Sequence, residues 1–210
     1  MEERTYSRRN SIVFRKTNED FGGLSNMAGG YLININNIKI LTSEALYQAC
    51  RFPEFPEVQK IIISERSPMT AKMKSKPYRE KTRRDWEKVR IQIMRWCLRV
   101  KLFQNWDEFS MLLKSTEKFP IVEESNRDIF WGARADENDT LRGVNCLGRL
   151  LMELREELIL YEQDKYNKLN TPKLDNFYLY GKPINQIILN KAKTQKKLND
   201  LDEQIILNFD

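Results

Sequence analysis

Apolar residues recur at three- and four-residue steps from Asp85 to Phe103, where Trp86, Val89, Ile93, Cys97 and Val100 share one stripe. That spacing predicts the longest helix of the chain. A second strong helix is predicted from about Asn145 to Glu162, with Leu147, Leu150, Leu151, Leu154 and Leu158 facing inward. A shorter helix around Phe109 to Leu113 lies between them and leads into a loop-rich stretch from Phe119 to Gly143. The N-terminal third is patterned differently. Ser11 to Lys16 and Gly30 to Leu41 carry β-branched and aromatic residues, and Asn36-Asn37 divides the second stretch as a turn, which predicts a small antiparallel sheet. Thr42 or Ser43 then caps a helix with Glu44 in its first turn, where the helix dipole favours negative charge, and Gln48 shares the face of Glu44. Pro53 and Pro56 end that helix, and an amphipathic segment follows through Val58, Ile61, Ile62 and Ile63.

Beyond the second strong helix the composition turns polar from Asp164 to Leu174, where Asn170-Thr171-Pro172 marks a linker. The expected organisation is one catalytic-size domain over residues 1–164, then a linker and amphipathic helix over 165–210. The tail holds an aromatic patch, Phe177-Tyr178-Leu179-Tyr180, followed by Ile184, Ile187, Ile188, Leu198, Leu201 and Ile205 at helical spacing. Such a stripe must bury itself on its own core, on a second copy or on a partner such as a cognate toxin. The elements expected from the pattern are thus several helices, a small antiparallel sheet and a C-terminal helical extension.

A chain of 210 residues with 40% apolar content can bury one sizeable core. No run approaches the roughly 18 apolar residues that cross a bilayer, and the start Met1-Glu2-Glu3-Arg4 is charged, so a cytoplasmic protein without a membrane partner is expected. Cys50, Cys97 and Cys146 sit among apolar neighbours, as buried reduced thiols do. There is no histidine. That excludes Ser-His-Asp and Cys-His hydrolysis and leaves catalysis to Asp, Glu, Lys, Tyr or a bound metal. No residue pattern calls for a metal or an organic cofactor. The net charge of +6 is strongly polarised: Arg66 to Lys101 holds 13 basic residues against 3 acidic, whereas Leu102 to Asp164 holds 7 against 14. A basic block of this size suits phosphates on a nucleotide or on nucleic acid, although solvated helix faces would produce it too.

Three segments carry polar residues that packing does not explain. Phe21-Gly22-Gly23-Leu24-Ser25-Asn26 is a glycine loop that can approach a ligand closely. Thr42 to Ala49 places Glu44 as a positioned carboxylate. Val122 to Gly132 brings Asp128 and Trp131 together, and Gly143-Val144-Asn145-Cys146-Leu147-Gly148 feeds a helix N-terminus of the kind that binds phosphate.

The succession FGGLSN, TSEALYQACRF, SPMTAKM, RRDW, MRWCLRVKLFQN, LLKST, IVEESNRDIFWG and GVNCLGRLLMELRE resembles the YbiA-like, or NADAR, superfamily over roughly Ser11 to Leu158. The resemblance implies an α+β fold, compact and mostly helical with a small antiparallel sheet, and a hydrolase that cleaves N-glycosidic bonds in ribosylated molecules. Some members act on riboflavin-pathway intermediates. Others remove ADP-ribose from guanine bases in nucleic acid and so oppose toxin ADP-ribosyltransferases; that antitoxin activity is the leading expectation here, with a non-catalytic ADP-ribose-binding module as a further alternative. By the same resemblance Glu44, Trp86 and Asp128 match active-site positions, and Ser25, Asn26, Trp131, Gly132, Gly143 and Asn145 fall in ligand-lining blocks. Tyr47 and Gln48, on the helix of Glu44, complete the candidate binding set, and Lys101 is the candidate for a competing Schiff-base route. Ala45 and Arg51 depart from the family pattern, which has histidine and lysine there.

Overall fold

The computed structural model describes residues 2–136, 138–160 and 168–188. Helix α1 (Ser43–Ala49) starts at Thr42, whose hydroxyl accepts from the Ala45 N–H at 3.2 Å. Helices α2 (Pro56–Ile63) and α3 (Pro68–Ser75) each begin on a proline, where the missing N–H costs nothing. The pattern of apolar positions does not predict α3, because only Ala71 and Ser75 of it are buried; its signal is the cap, Ser67 Oγ accepting from Thr70 N–H at 3.4 Å, followed by Pro68.

Helix α4 (Trp86–Gln104) occupies the predicted place and forms the axis of the core. All five residues of its stripe are buried, and so are Met94, Trp96, Leu98, Leu102 and Phe103, because α1, α5 (Trp106–Lys114) and α6 (Cys146–Leu160) pack against it. Each such Leu or Ile contributes roughly 1.5–3 kcal/mol on burial. Across the α4–α6 contact Arg95 donates to Glu153 at 2.6 and 3.0 Å, and Arg99 pairs with Glu157. The polarised charge therefore has a structural part: basic side chains of the first block meet acidic ones of the second. These pairs are about one-third exposed, so each contributes about 1 kcal/mol at most.

The strands are short. β1 (Arg4–Ser7) runs antiparallel to β7 (Thr140–Gly143), which also pairs with β6 (Arg134–Ala135). β3 (Ile33–Ile35) and β4 (Ile38–Ile40) form the predicted hairpin, with Asn36 and Asn37 at φ 52° and 65°, the left-handed pair that a tight two-residue turn requires. β2 (Ile12–Phe14) does not join that hairpin. It pairs in parallel with β5 (Ile121–Glu123), inside the stretch read as loop, because Phe14, Ile121 and Val122 all need burial there. The described part of the tail is strand rather than helix: β8 (Lys168–Leu169) pairs with β11 (Ile187–Ile188), and β9 (Tyr178–Leu179) with β10 (Lys182–Pro183). Leu169, Phe177, Leu179 and Ile184 are buried against the helical core. The rest of the expected tail helix, residues 189–210, lies outside the described residues. The three cysteines are free and buried, and no described helix is long and apolar enough to cross a membrane.

Candidate active site

A cavity of ≈ 800 Å³ opens where α1, α3, the N-terminal half of α4 and the loop after β5 meet, and Glu44 lies on its wall. Glu44 is only 2% exposed. Its Oε1 accepts from Gln48 Nε2 at 2.9 Å and its Oε2 from Asn26 Nδ2, while its own N–H donates to the Asn26 carbonyl at 2.9 Å. Burial pushes the Glu44 carboxyl above the usual carboxylate range, against the opposing pull of Lys72 and the two amides.

The loop from Glu123 to Gly132 supplies the opposite wall. Asp128 Oδ1 accepts from the N–H groups of Phe130 and Trp131 at 3.1 and 2.9 Å, and the Asp128 N–H donates to Ser125 Oγ at 3.0 Å. Among the described residues its Oδ2 accepts no hydrogen bond and is left for the cavity. Glu123, at the end of β5, lines the same space, and burial together with the charges of Asp128 and Glu44 raises its carboxyl to about 7. The three carboxyls surround the cavity rather than meet at a point: among the described residues, no three metal-ligating side chains stand close enough to hold one ion.

Aromatic rings form the remaining wall. Tyr47 lies between Trp86, at 5.0 Å centroid distance, and Trp131, at 5.6 Å, and burial holds its phenol protonated. Arg51, the departure from the family pattern, places its guanidinium 5.4 Å from the Trp86 ring and donates to Thr82 Oγ1 at 2.8 Å. It joins Arg15, Lys72, Arg79, Arg90 and Arg127 on the lining. Lys72, Arg79 and Arg90 belong to the basic block of the sequence, whereas Glu123, Arg15 and Arg127 were not singled out there. For Glu123 the available signal is a carboxylate closing an otherwise apolar strand; for Arg15 and Arg127 there is none, since surface cations read alike until the fold gathers them.

Glu44, Asp128, Trp86, Asn26, Tyr47, Gln48 and Trp131 thus come together. Five other candidates do not line the cavity. Ser25 is buried, its Oγ accepting from the Met27 N–H at 3.2 Å. Asn145 is fully buried, donating to the Ile121 carbonyl at 2.8 Å and accepting from the Glu123 N–H at 3.1 Å. Gly132 and Gly143 are packing positions, since a Cβ would come within 2.5 Å of the Glu123 and Gly132 carbonyls respectively. The start of α6 is not free for phosphate either: the N–H groups of Cys146 and Leu147 already donate to the Phe130 and Trp131 carbonyls at 2.9 and 3.0 Å.

Lys101 is the fifth. Its ammonium donates to the carbonyls of Gly23 and Ser25 and lies over the rings of Tyr31 and Phe109 at 4.0 and 4.3 Å, fully buried. Burial lowers its pKa well below that of a free lysine. It braces the glycine loop that presents Asn26. Lys101→Met is expected to cost roughly 2–4 kcal/mol, because two buried carbonyls lose their donor. It should leave any borohydride-trapped adduct intact, which intact-mass measurement of the trapped variant checks; the cavity's own amine is Lys72.

Residues 13–159 match the NADAR domain. The chain is 35% identical over 149 residues to the N-glycosidase YbiA of Escherichia coli strain K12, covering 71% of this chain and 89% of that protein. An N-glycosidase of Nostoc punctiforme is 32% identical over 150 residues, covering 70% and 92%. A riboflavin biosynthesis protein of Vibrio vulnificus is 33% identical over 156 residues, 74% of this chain and 40% of that longer one. The NMR structure of the E. coli protein YbiA has a TM-score of 0.62 and 34% identity, covering 72% of this chain and 86% of that one. A domain match over most of the chain and relatives of this similarity place it plainly: the chain belongs to the NADAR family.

Proposed function

We propose that this chain is an N-glycosidase that removes ADP-ribose from guanine bases of nucleic acid. The observation that carries the reading is one cavity whose walls combine buried carboxyls, a Tyr47–Trp86–Trp131 aromatic wall and a cationic lining. Leaving of a base from ribose C1′ builds positive charge on the sugar, which carboxylates stabilise, and negative charge on the base. Asp128 is suited to take the proton of the attacking water, because its open Oδ2 faces no competing donor while Oδ1 is pinned by two N–H groups. Glu44, with both oxygens occupied, is suited to stabilise the cationic sugar rather than to exchange protons. The aromatic rings offer surfaces on which a base can stack. Arg51, Arg79 and Lys72 are of the right charge for a pyrophosphate. An activity of this kind would make the chain the antidote to an ADP-ribosyltransferase that modifies DNA.

A second reading, hydrolysis of a riboflavin-biosynthesis intermediate, is favoured by the name of the relative from Vibrio vulnificus. Mass-spectrometric turnover with an ADP-ribosylated guanosine oligonucleotide, a riboflavin-pathway N-riboside and free ADP-ribose separates the two. We expect unmodified guanine to be restored in the oligonucleotide, with an apparent affinity that falls steeply as salt rises, in proportion to the phosphates neutralised. Hydrolysis of the N-riboside with the oligonucleotide untouched would overturn the nucleic-acid reading and establish the second.

A further inference from the structure

Five carboxyls line the cavity: Glu87 is paired with Arg90, Glu124 with Arg8, and Glu44 and Asp128 are supplied with donors, whereas Glu123 is not. Glu44 accepts from Asn26 and Gln48 on its two oxygens, and Asp128 from two backbone N–H groups. A proton on Glu44 would have to displace one of those amides. The Glu123 side chain makes no hydrogen bond and no ion pair among the described residues. Its backbone, by contrast, is fixed on both sides: the N–H donates to Asn145 Oδ1 at 3.1 Å, and the carbonyl accepts from the Ala133 N–H at 2.8 Å. The side chain is therefore projected from a rigid strand end into the cavity with both oxygens uncommitted.

We propose that Glu123 is the general acid of this site, holding the proton that the departing base takes up. The assignment rests on the N-glycosidase reading. As the C1′–N bond breaks, its electron pair goes to the base nitrogen, which takes the Glu123 proton. The oxygen of the water bonds to C1′, and the water's proton passes to Asp128. Hydrolysis is complete with no other reactant, and proton exchange with solvent returns both carboxyls to their starting states. The surroundings agree. Burial favours the protonated form most, the negative charges of Asp128 from the same loop and Glu44 from α1 act in the same sense, and Lys72 from α3 opposes them. Arg15 after β2, Arg51 after α1, Arg79 after α3, Arg90 of α4 and Arg127 complete the charged groups that line this space, with Glu87 paired to Arg90 and Glu124 to Arg8. The balance leaves the carboxyl at about 7, where a proton can be both held and given up.

The test compares two substrates of the same sugar phosphate, one whose leaving group is a nucleobase and one whose leaving group is p-nitrophenolate, which departs without protonation. For the wild-type protein kcat on the nucleobase substrate should fall as pH rises through about 7, while kcat on the nitrophenolate substrate stays level over that range. Glu123→Gln should lower the first rate about a hundredfold and the second less than about tenfold, and Glu123→Asp should recover part of the alkaline limb. An alkaline limb of the same shape with both leaving groups, or equal slowing of both by Glu123→Gln, would overturn the assignment. The wild-type comparison decides even if Glu123→Gln does not fold. Absence of turnover on either substrate would remove the N-glycosidase reading and this assignment with it, a result distinct from either of the others.

Discussion

Asp128→Asn is expected to lower kcat by at least about a hundredfold, the scale of a positioned acid–base group, while leaving the melting temperature close to that of the wild type. The two halves of that expectation have separate causes. The asparagine amide oxygen can still accept from the N–H groups of Phe130 and Trp131, so the turn that Asp128 closes survives. What disappears is the second oxygen as a base. Glu44→Gln should lose activity on the same scale, yet less cleanly. Asn26 and Gln48 both donate to Glu44, and a glutamine presents only one accepting oxygen, so one buried donor goes unpaired at roughly 1–3 kcal/mol. Part of that loss is offset because burial already disfavours the Glu44 charge. Turnover by mass spectrometry and a thermal melt on each variant check both statements. Near-wild-type turnover in both variants, with unchanged stability, would discard the carboxylate mechanism and direct attention to Lys72.

Much of the frame around these carboxyls was legible in the sequence, and the reasons differ by element. The stripe of α4 was visible because a central helix repeats its apolar residues at a fixed period for five turns. The hairpin was visible because two asparagines in succession tolerate the left-handed backbone its turn needs. α3 was missed because it buries almost nothing, and a helix without an apolar face leaves only its cap as evidence. β5 and its partner β2 were missed as a pair because parallel pairing across more than 100 residues leaves no local trace. The candidate site divides along the same line. Residues that contact the cavity and residues that build its wall carry the same polar chemistry in sequence, so Asn26 and Asn145 read alike. Only burial and partners separate them: Asn26 reaches Glu44, whereas Asn145 is consumed by the backbone of β5.

Asn145→Ala should therefore differ from Asp128→Asn: a large loss of stability with a smaller loss of kcat, because the Glu123 backbone loses one anchor and keeps the other, its carbonyl accepting from the Ala133 N–H. Asn145 sits at φ 50°, a left-handed conformation that asparagine adopts readily and alanine only at roughly 1–2 kcal/mol. Its amide joins the Ile121 carbonyl to the Glu123 N–H in a fully buried position, and removing it leaves both groups unpaired, at roughly 1–3 kcal/mol each. The sum, roughly 3–8 kcal/mol, is a large fraction of the about 5–15 kcal/mol that holds a domain of this size together. Water entering the vacated space would bring the cost toward the lower figure. No larger residue can relieve it from the helix side, because Gly148 packs so closely that a Cβ would lie 2.1 Å from the Ile121 carbonyl, and Gly148→Ala should destabilise the same α6–β5 contact. Urea unfolding of Asn145→Ala, with turnover measured well below its melting temperature, gives both quantities. If KM instead rises sharply while the unfolding midpoint stays in place, Asn145 contacts the ligand after all, beside Leu147 on the cavity lining.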